Sequence, residues 1–339
     1  MTRRVLVTGA AGFIGFHVAA RLLGDGWKVV GADNLSPYYD PALKRARLSR
    51  LLAHAAFAGF ELDLADPTSV RALFAAHRFD AVVHLAAQPG VRLALTEPDP
   101  YIASNVAAFL QVLEGCRAHG VGHLVFASSS SVYGANARMP FSEHAGADHP
   151  VSLYAATKKA NELMAHAYAH LFGLPATGLR FFTVYGPWGR PDMAVYTFTD
   201  RIARGLPISV AAGGAVLRDF TYIDDVVEGL VRILARPPSP DPAWNPLAPD
   251  PATGAAPYRI YNIGGDQPEK LDRVVGLIEA ALGRAAIRQN VALPPGDVPE
   301  TRADTSDLAR ATGFTPAIPL ETGIARFVEW YREHHPPAA

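Results

Sequence analysis

Tyr154 and Lys158 stand four residues apart in a run, Leu153–Phe172, whose pattern predicts a helix. Residues at that spacing share a helix face, so the phenol and the ammonium can enter one cleft. A tyrosine beside a cation can move a proton near neutral pH, because the positive charge favours phenolate over an ordinary pKa of about 10. Four serines, Ser128 to Ser131, follow an apolar segment, Leu124–Ala127, that predicts a strand. Hydroxyls at the carboxyl end of a strand lie where α/β sheets bind ligands. A serine there can relay a hydrogen bond between a substrate hydroxyl and Tyr154.

A second cluster lies at the N-terminal end. Thr8-Gly9-Ala10-Ala11-Gly12-Phe13-Ile14-Gly15 separates a predicted strand, Val5–Val7, from a predicted helix, Gly12–Leu23. Glycines there permit a tight turn and close approach of a pyrophosphate, and the free N–H groups and dipole of the helix start favour its charge. Asp33 ends the second predicted strand, eighteen residues after Gly15, near the usual offset of a ribose-binding acid. No arginine follows it directly, so NAD is expected over NADP. Gly9, Gly12, Phe13, Ile14, Gly15, Asp33 and the adjacent Asn34 form the expected cofactor set, with Asp63 and Leu64 towards the adenine. A nicotinamide cation would add to the pull of Lys158 on the Tyr154 phenol.

Elements of defined order must hold these two clusters together. Short apolar runs at Val5–Val7, Lys28–Ala32, Phe60–Leu62, Asp80–Leu85, Leu124–Ala127 and Thr177–Phe182 alternate with helical patterns at Ser69–His77, Tyr101–His119 and Leu153–Phe172. Strands alternating with helices imply parallel pairing and a doubly wound α/β sheet of Rossmann type. Val29, Val30, Val82, Val83, Val125 and Phe126 suit strands buried on both faces. Helices are expected at Asp224–Ala235 and Leu271–Leu282, and a strand at Arg259–Ile263. Arg236 to Tyr258 reads as a surface loop, and the tail from His334 onward is expected to fray.

Composition narrows the function classes. The chain has 339 residues, 49% hydrophobic and 19% charged, enough for a substantial core. Its 31 basic and 32 acidic residues leave a net charge of −1, which argues against general affinity for nucleic acid or an anionic membrane. No apolar run is long enough for a membrane span, and glycines and charges break up the start, so a cytoplasmic protein is expected. The single cysteine, Cys116, permits no intrachain disulfide and reads as a small buried hydrophobe. His166 and His170 have the spacing of zinc ligands, but Ala167 stands where a catalytic Glu would follow, and no metal is expected.

With these motifs in hand, the chain resembles the extended short-chain dehydrogenase/reductases, in their nucleotide-sugar epimerase and dehydratase branch. Further segments carrying the likeness include His84-Leu-Ala-Ala, Ser131-Val-Tyr-Gly134, Arg180-Phe-Phe-Thr-Val-Tyr-Gly-Pro187, Arg218-Asp-Phe-Thr-Tyr-Ile-Asp-Asp225 and Tyr261-Asn-Ile-Gly264. Asp33-Asn-Leu-Ser-Pro-Tyr-Tyr-Asp40, Gly90-Val-Arg92, Ala155-Ala-Thr-Lys-Lys-Ala-Asn-Glu162, Pro187-Trp-Gly-Arg-Pro-Asp-Met-Ala194 and Gly296-Asp-Val-Pro-Glu-Thr301 are most similar to the UDP-glucuronate 4-epimerases. The resemblance implies a Rossmann domain of residues 1–183, also receiving about 220–263. A smaller C-terminal substrate domain would comprise 184–219 and 264–339, and the enzyme would be a homodimer.

The resemblance also assigns roles. Ser129, Tyr154 and Lys158 would be catalytic, with Tyr154 and Lys158 also touching NAD. The positions that carry an acid pair in the 4,6-dehydratases, and a Glu in the decarboxylases, are Ser130 and Ser131 here. They would bind a substrate carboxylate with Thr183 and Arg190, a guanidinium suited to bidentate pairing. Arg218 would meet the diphosphate and Asp297 the uridine ribose. Arg302 replaces a usual aromatic and leaves packing near Asp297 open. The implied reaction is 4-epimerisation of UDP-glucuronate through a transient 4-keto sugar, with NAD retained as a prosthetic group. Alternatives are an epimerase for another UDP-sugar, a UDP-glucuronate decarboxylase, or a non-catalytic NAD-binding sensor; the intact Ser129, Tyr154 and Lys158 speak against the sensor.

Overall fold

Residues 3–294 and 296–335 are described by a computed structural model. The first half runs β1 (Arg4–Thr8), α1 (Phe13–Gly24), β2 (Lys28–Asp33), α2 (Pro41–Leu52), β3 (Phe57–Glu61), α3 (Pro67–Ala76) and β4 (Ala81–His84), then α4 (Asp99–Tyr101), a π-helical stretch Ile102–Ala107 and α5 (Ala108–His119). There follow β5 (Leu124–Ser129), α6 (Leu153–Phe172), β6 (Ala176–Phe181), β7 (Thr183–Tyr185), α7 (Ala194–Ala203), β8 (Ile208–Ala211) and β9 (Leu217–Tyr222). The chain continues through α8 (Ile223–Leu234), β10 (Tyr258–Ile263), β11 (Pro268–Lys270), α9 (Leu271–Leu282), β12 (Arg288–Val291), α10 (Ser306–Thr312) and α11 (Leu320–His334).

Seven strands form one parallel sheet in the order β10-β6-β5-β4-β1-β2-β3. The central strands are apolar on both faces because both faces are covered. Val5, Val7, Val29, Val83 and Val125 pack in the cluster that includes α1 and α8, while Leu6, Val30, Val82 and Phe126 pack with α3 and α5. All of them are buried, as the sequence pattern requires. Strand order reverses between β1 and β4, which opens a crevice at their carboxyl ends. A three-stranded sheet, β11-β9-β7, and a parallel pair, β12-β8, stand apart from the main sheet. Helices α7, α9 and α11 pack against one another there.

Three expectations move. The third strand is Phe57–Glu61, not Phe60–Leu62, since it is Phe57 that is buried while Phe60 is exposed. The helix expected over Tyr101–His119 opens into the π stretch, where the Asn161 amide donates to the Asn105 carbonyl at 2.6 Å and draws it from the helical ladder. The tail does not fray at His334, because His335 pairs with the Tyr196 hydroxyl at 2.8 Å; residues 336–339 lie outside the described ones. The stretch between α8 and β10 has no helix or strand, as expected of a surface loop. Among the described residues no helix is long and apolar enough to cross a membrane.

Candidate active site

The crevice at the switch point is a cleft of about 840 Å³. At its floor the glycine turn is held by contact. Gly9 has φ +69°, and a side chain there would meet the Ala86 backbone nitrogen at 2.8 Å. A Cβ on Gly15 would stand 2.0 Å from the Gly9 carbonyl, so only glycine lets α1 start so close to the turn. That helix has no side-chain cap, and its first N–H groups remain free. Asp33, at the end of β2, accepts from the Ala11 N–H at 3.0 Å and the Leu35 N–H at 2.8 Å. Its remaining lone pairs can still accept from ribose hydroxyls. Asn34, Asp63 and Leu64 line the same wall. Free helix N–H groups, a carboxylate and a glycine floor together fit NAD, the group expected from the sequence.

The serines lie across the crevice at the end of β5. Ser128 turns inward and donates to Glu162 at 2.6 Å, and Arg180 grips that same carboxylate at 2.8 and 2.9 Å. Burial opposes the charge on Glu162, but Arg180 outweighs it and holds the carboxyl below its usual range. This buried pair anchors β5 to α6 and β6. Ser129, Ser130 and Ser131 face the cleft, and the Ser129 hydroxyl accepts from the Ser131 N–H at 3.1 Å.

Tyr154 and Lys158 line the cleft from α6 as their spacing requires. Burial raises the Tyr154 pKa above its ordinary value, and the groups that pull it back are Arg190 and a hydrogen bond from Ser129. Arg190 is thus a cation that favours the ionised phenol. The Lys158 ammonium donates to the Ala127 carbonyl at 3.0 Å, and burial brings its pKa down to about 8.

Thr183, Arg190, Arg218 and Asp297 close the other side of the same cleft. Arg190 is held bidentately by Asp192, at 3.0 and 2.5 Å, and Asp192 also accepts from the Tyr38 hydroxyl at 3.2 Å. Three Arg190 N–H groups remain for a ligand. Burial opposes the Asp192 charge, but Arg190 outweighs it and keeps that carboxyl ionised below its usual range. Asp297 stands 4.0 Å from Arg218 and 3.7 Å from Arg92. Arg302 pairs with Asp266 at 2.9 Å on the surface, so packing at Asp297 falls to these two arginines. Tyr38, Asp192 and Arg92 were not singled out from the sequence, although each lies inside a segment that carried the resemblance. Their roles depend on partners remote in the chain, which spacing does not reveal.

One cleft thus contains a dinucleotide floor, a serine–tyrosine–lysine group and a rim of arginines. Residues 5–264 match the NAD dependent epimerase/dehydratase family. The chain belongs to that family. It is 47% identical over 336 residues to a probable UDP-glucuronate 4-epimerase of Rhizobium meliloti (strain 1021), covering 98% of each chain. UDP-glucuronate 4-epimerase 1 of Arabidopsis thaliana is also 47% identical over 336 residues, with 98% of this chain and 77% of the plant protein covered. The crystal structure of a Bacillus cereus UDP-glucuronic acid 4-epimerase, in complex with UDP-glucuronic acid and NAD, superposes with a TM-score of 0.87 at 30% identity. That match covers 98% of this chain and all of the other. Membership of this family settles the cofactor class and the fold class expected from the glycine turn.

Proposed function

We propose that the protein is an NAD-dependent isomerase that interconverts UDP-glucuronate and UDP-galacturonate through a 4-keto sugar. The observation that carries this reading is Arg190 at the rim of a cleft whose serine run holds no carboxylate. Such a site can grip an acidic sugar and move one proton, but has no acid–base pair to run an elimination. Relatives with this activity at 47% identity over nearly the whole chain support the same substrate.

NAD, held by the glycine turn and Asp33, supplies reversible oxidation at the sugar C4. Tyr154 takes the C4 hydroxyl proton and gives it back, with Ser129 in the relay. Lys158, which lines the same cleft from α6, would hold the cofactor ribose and keep a positive charge near Tyr154. The diphosphate lies towards Arg218, and the uridine ribose towards Asp297. A 4-keto group beside the C5 carboxylate makes a β-keto acid, which loses CO₂ when the breaking bond aligns with the carbonyl π system. Ser130, Ser131, Thr183 and Arg190 hold the carboxylate out of that alignment, with Asp192 fixing the direction of Arg190.

The chain divides, on this reading, into a cofactor part of residues 1–183 with about 220–263 and a substrate part of 184–219 and 264–339. It forms a homodimer, which the exposed Ile102, Leu110, Leu163, Leu171 and Phe172 on the π stretch, α5 and α6 support. It works in the cytoplasm, where its buried free Cys116 stays reduced. The test is a substrate panel. UDP-glucuronate is expected to be epimerised far faster than UDP-glucose or UDP-N-acetylglucosamine. Equal or better turnover of a neutral sugar would overturn the assignment.

A further inference from the structure

Arg47, on α2, is completely buried, yet its partners are backbone carbonyls and one phenol rather than a carboxylate. Nε donates to the Trp188 carbonyl at 3.1 Å. Nη2 donates to the Trp188 carbonyl at 2.6 Å and the Gly189 carbonyl at 3.1 Å. Nη1 donates to the Ala11 carbonyl at 3.0 Å and the Tyr39 hydroxyl at 2.8 Å. All five N–H donors of the guanidinium are used. A charge removed from water is tolerated only when its hydrogen bonds are satisfied, so the positions of these carbonyls are fixed by it.

The two ends of this bridge matter. Ala11 lies in the glycine turn, and its own N–H is held by Asp33. Trp188 and Gly189 directly precede Arg190. Trp188 has φ +62°, a left-handed backbone uncommon for a bulky residue. Such a conformation persists where its surroundings over-determine it. Here the Arg47 fork grips the Trp188 carbonyl, and the indole packs against Phe16 and Trp330 with ring centroids 5.8 and 5.3 Å away. Gly189 closes a tight turn on the Gly186 carbonyl at 3.0 Å. The backbone that launches Arg190 is therefore set from the cofactor side by one planar side chain.

We propose that Arg47 is a positioning residue for carboxylate recognition: it ties the loop carrying Arg190 to the glycine turn and so sets the direction of the Arg190 guanidinium. This rests on the reading of Arg190 given above. Lysine cannot replace it, because an ammonium offers three donors from a point and no fork.

The test compares parent and Arg47→Lys, both purified as holoprotein, for NAD content, KM and kcat with UDP-glucuronate, and the share of UDP-pentose formed. Arg47→Lys is expected to raise KM roughly tenfold, with kcat changed far less, and to release UDP-pentose. In an Arg190→Ala background it is expected to add no further rise in KM, since both changes act through one contact. Arg47→Gln, which buries no ammonium, is measured alongside in case the lysine variant does not fold, and the same expectations apply. A variant less stable than the parent but with parental KM and products would overturn the proposal, leaving Arg47 a packing residue. So would a KM penalty that adds in full to that of Arg190→Ala. If the parent itself does not convert UDP-glucuronate, the substrate reading and this proposal fall together; if only the variant behaves as the parent does, the proposal falls alone.

Discussion

Opposed influences act on the Tyr154 phenol. Burial favours the protonated form, while Arg190 and Ser129 favour the ionised one. Tyr154→Phe keeps the ring and removes the group that titrates. The variant is expected to retain NAD and lose roughly 10²–10⁴-fold in turnover, the usual scale of general acid–base catalysis. Steady-state rates on UDP-glucuronate check it, and near-parental turnover would contradict the relay. Arg190 carries a separate expectation. Charge-assisted hydrogen bonds contribute about 1.5–3 kcal/mol each, so Arg190→Ala is expected to raise KM for UDP-glucuronate roughly ten- to a hundredfold and to leak UDP-pentose. Product masses from UDP-glucuronate and UDP-glucose decide this, and identical behaviour of variant and parent on both would make Arg190 a loop residue. Removing Arg190 also leaves the Asp192 carboxylate without its bidentate partner. Most residues of the site were legible from the sequence because their chemistry sits at short, telling intervals: Gly9 to Gly15, Tyr154 to Lys158, and the serine run. Asp192, Tyr38 and Arg47 were not, because Tyr38 meets Asp192, and Arg47 meets Trp188, only across more than a hundred residues of chain.

The first βα unit shows how an element is fixed by close approach. A Cβ at Gly15 would lie 2.0 Å from the Gly9 carbonyl, a backbone atom that cannot swing aside. Gly15→Ala is therefore expected to push α1 away from the turn and strip the protein of NAD. Absorbance of cofactor released from the purified variant measures the loss, and a full complement of NAD would refute it. Helices α6 and α9 were readable to the residue, since each ends on a glycine, Gly173 or Gly283, in left-handed conformation. The π stretch was not, because what opens it is the Asn161 amide on a different helix. The edge strand β3 shifted for a related reason. A strand with only Phe57 buried has no alternation strong enough to set its register.

Among the described residues three imidazoles are held uncharged, His84 and His123 buried and His17 partly buried. Burial lowers the pKa of His17 to about 4, of His84 to about 3 and of His123 to about 4. At His84 the partner adds to burial, while the carbonyls facing His17 and His123 pull the other way and burial outweighs them. Thr8 Oγ1 accepts from the Leu85 and Ala86 N–H groups at 3.2 Å each, so its own proton points to His84 Nδ1, 2.9 Å away. His123 lies between the Leu234 carbonyl and the Thr177 hydroxyl. On unfolding each ring regains an ordinary pKa near 6.5, so below that pH the unfolded chain binds more protons than the folded one. Stability is full above pH 6.5 and falls as pH drops towards 4, by about 4 kcal/mol per pH unit at the steepest if all three act together. Buried Glu143 and Asp219, whose carboxyl pKa values are raised, oppose the slope nearer their own range. Urea midpoints at pH 7 and pH 5 check this, and equal midpoints would contradict it. The parallel sheet was readable from alternating apolar strands and helices, while its strand order and switch point came only from the pairing of the strands. The small sheet β11-β9-β7 and the pair β12-β8 were not readable, since their strands are three to six residues long and find partners far along the chain. What unites the cofactor turn, the serine run and the arginine rim is one reaction with no net redox change. Its most direct test is the purified protein given UDP-glucuronate and no added NAD, with products followed by NMR. The account predicts UDP-galacturonate accumulating to a fixed ratio with no net NADH and little UDP-pentose. UDP-pentose as the main product, or consumption of added NAD in proportion to product, would contradict it.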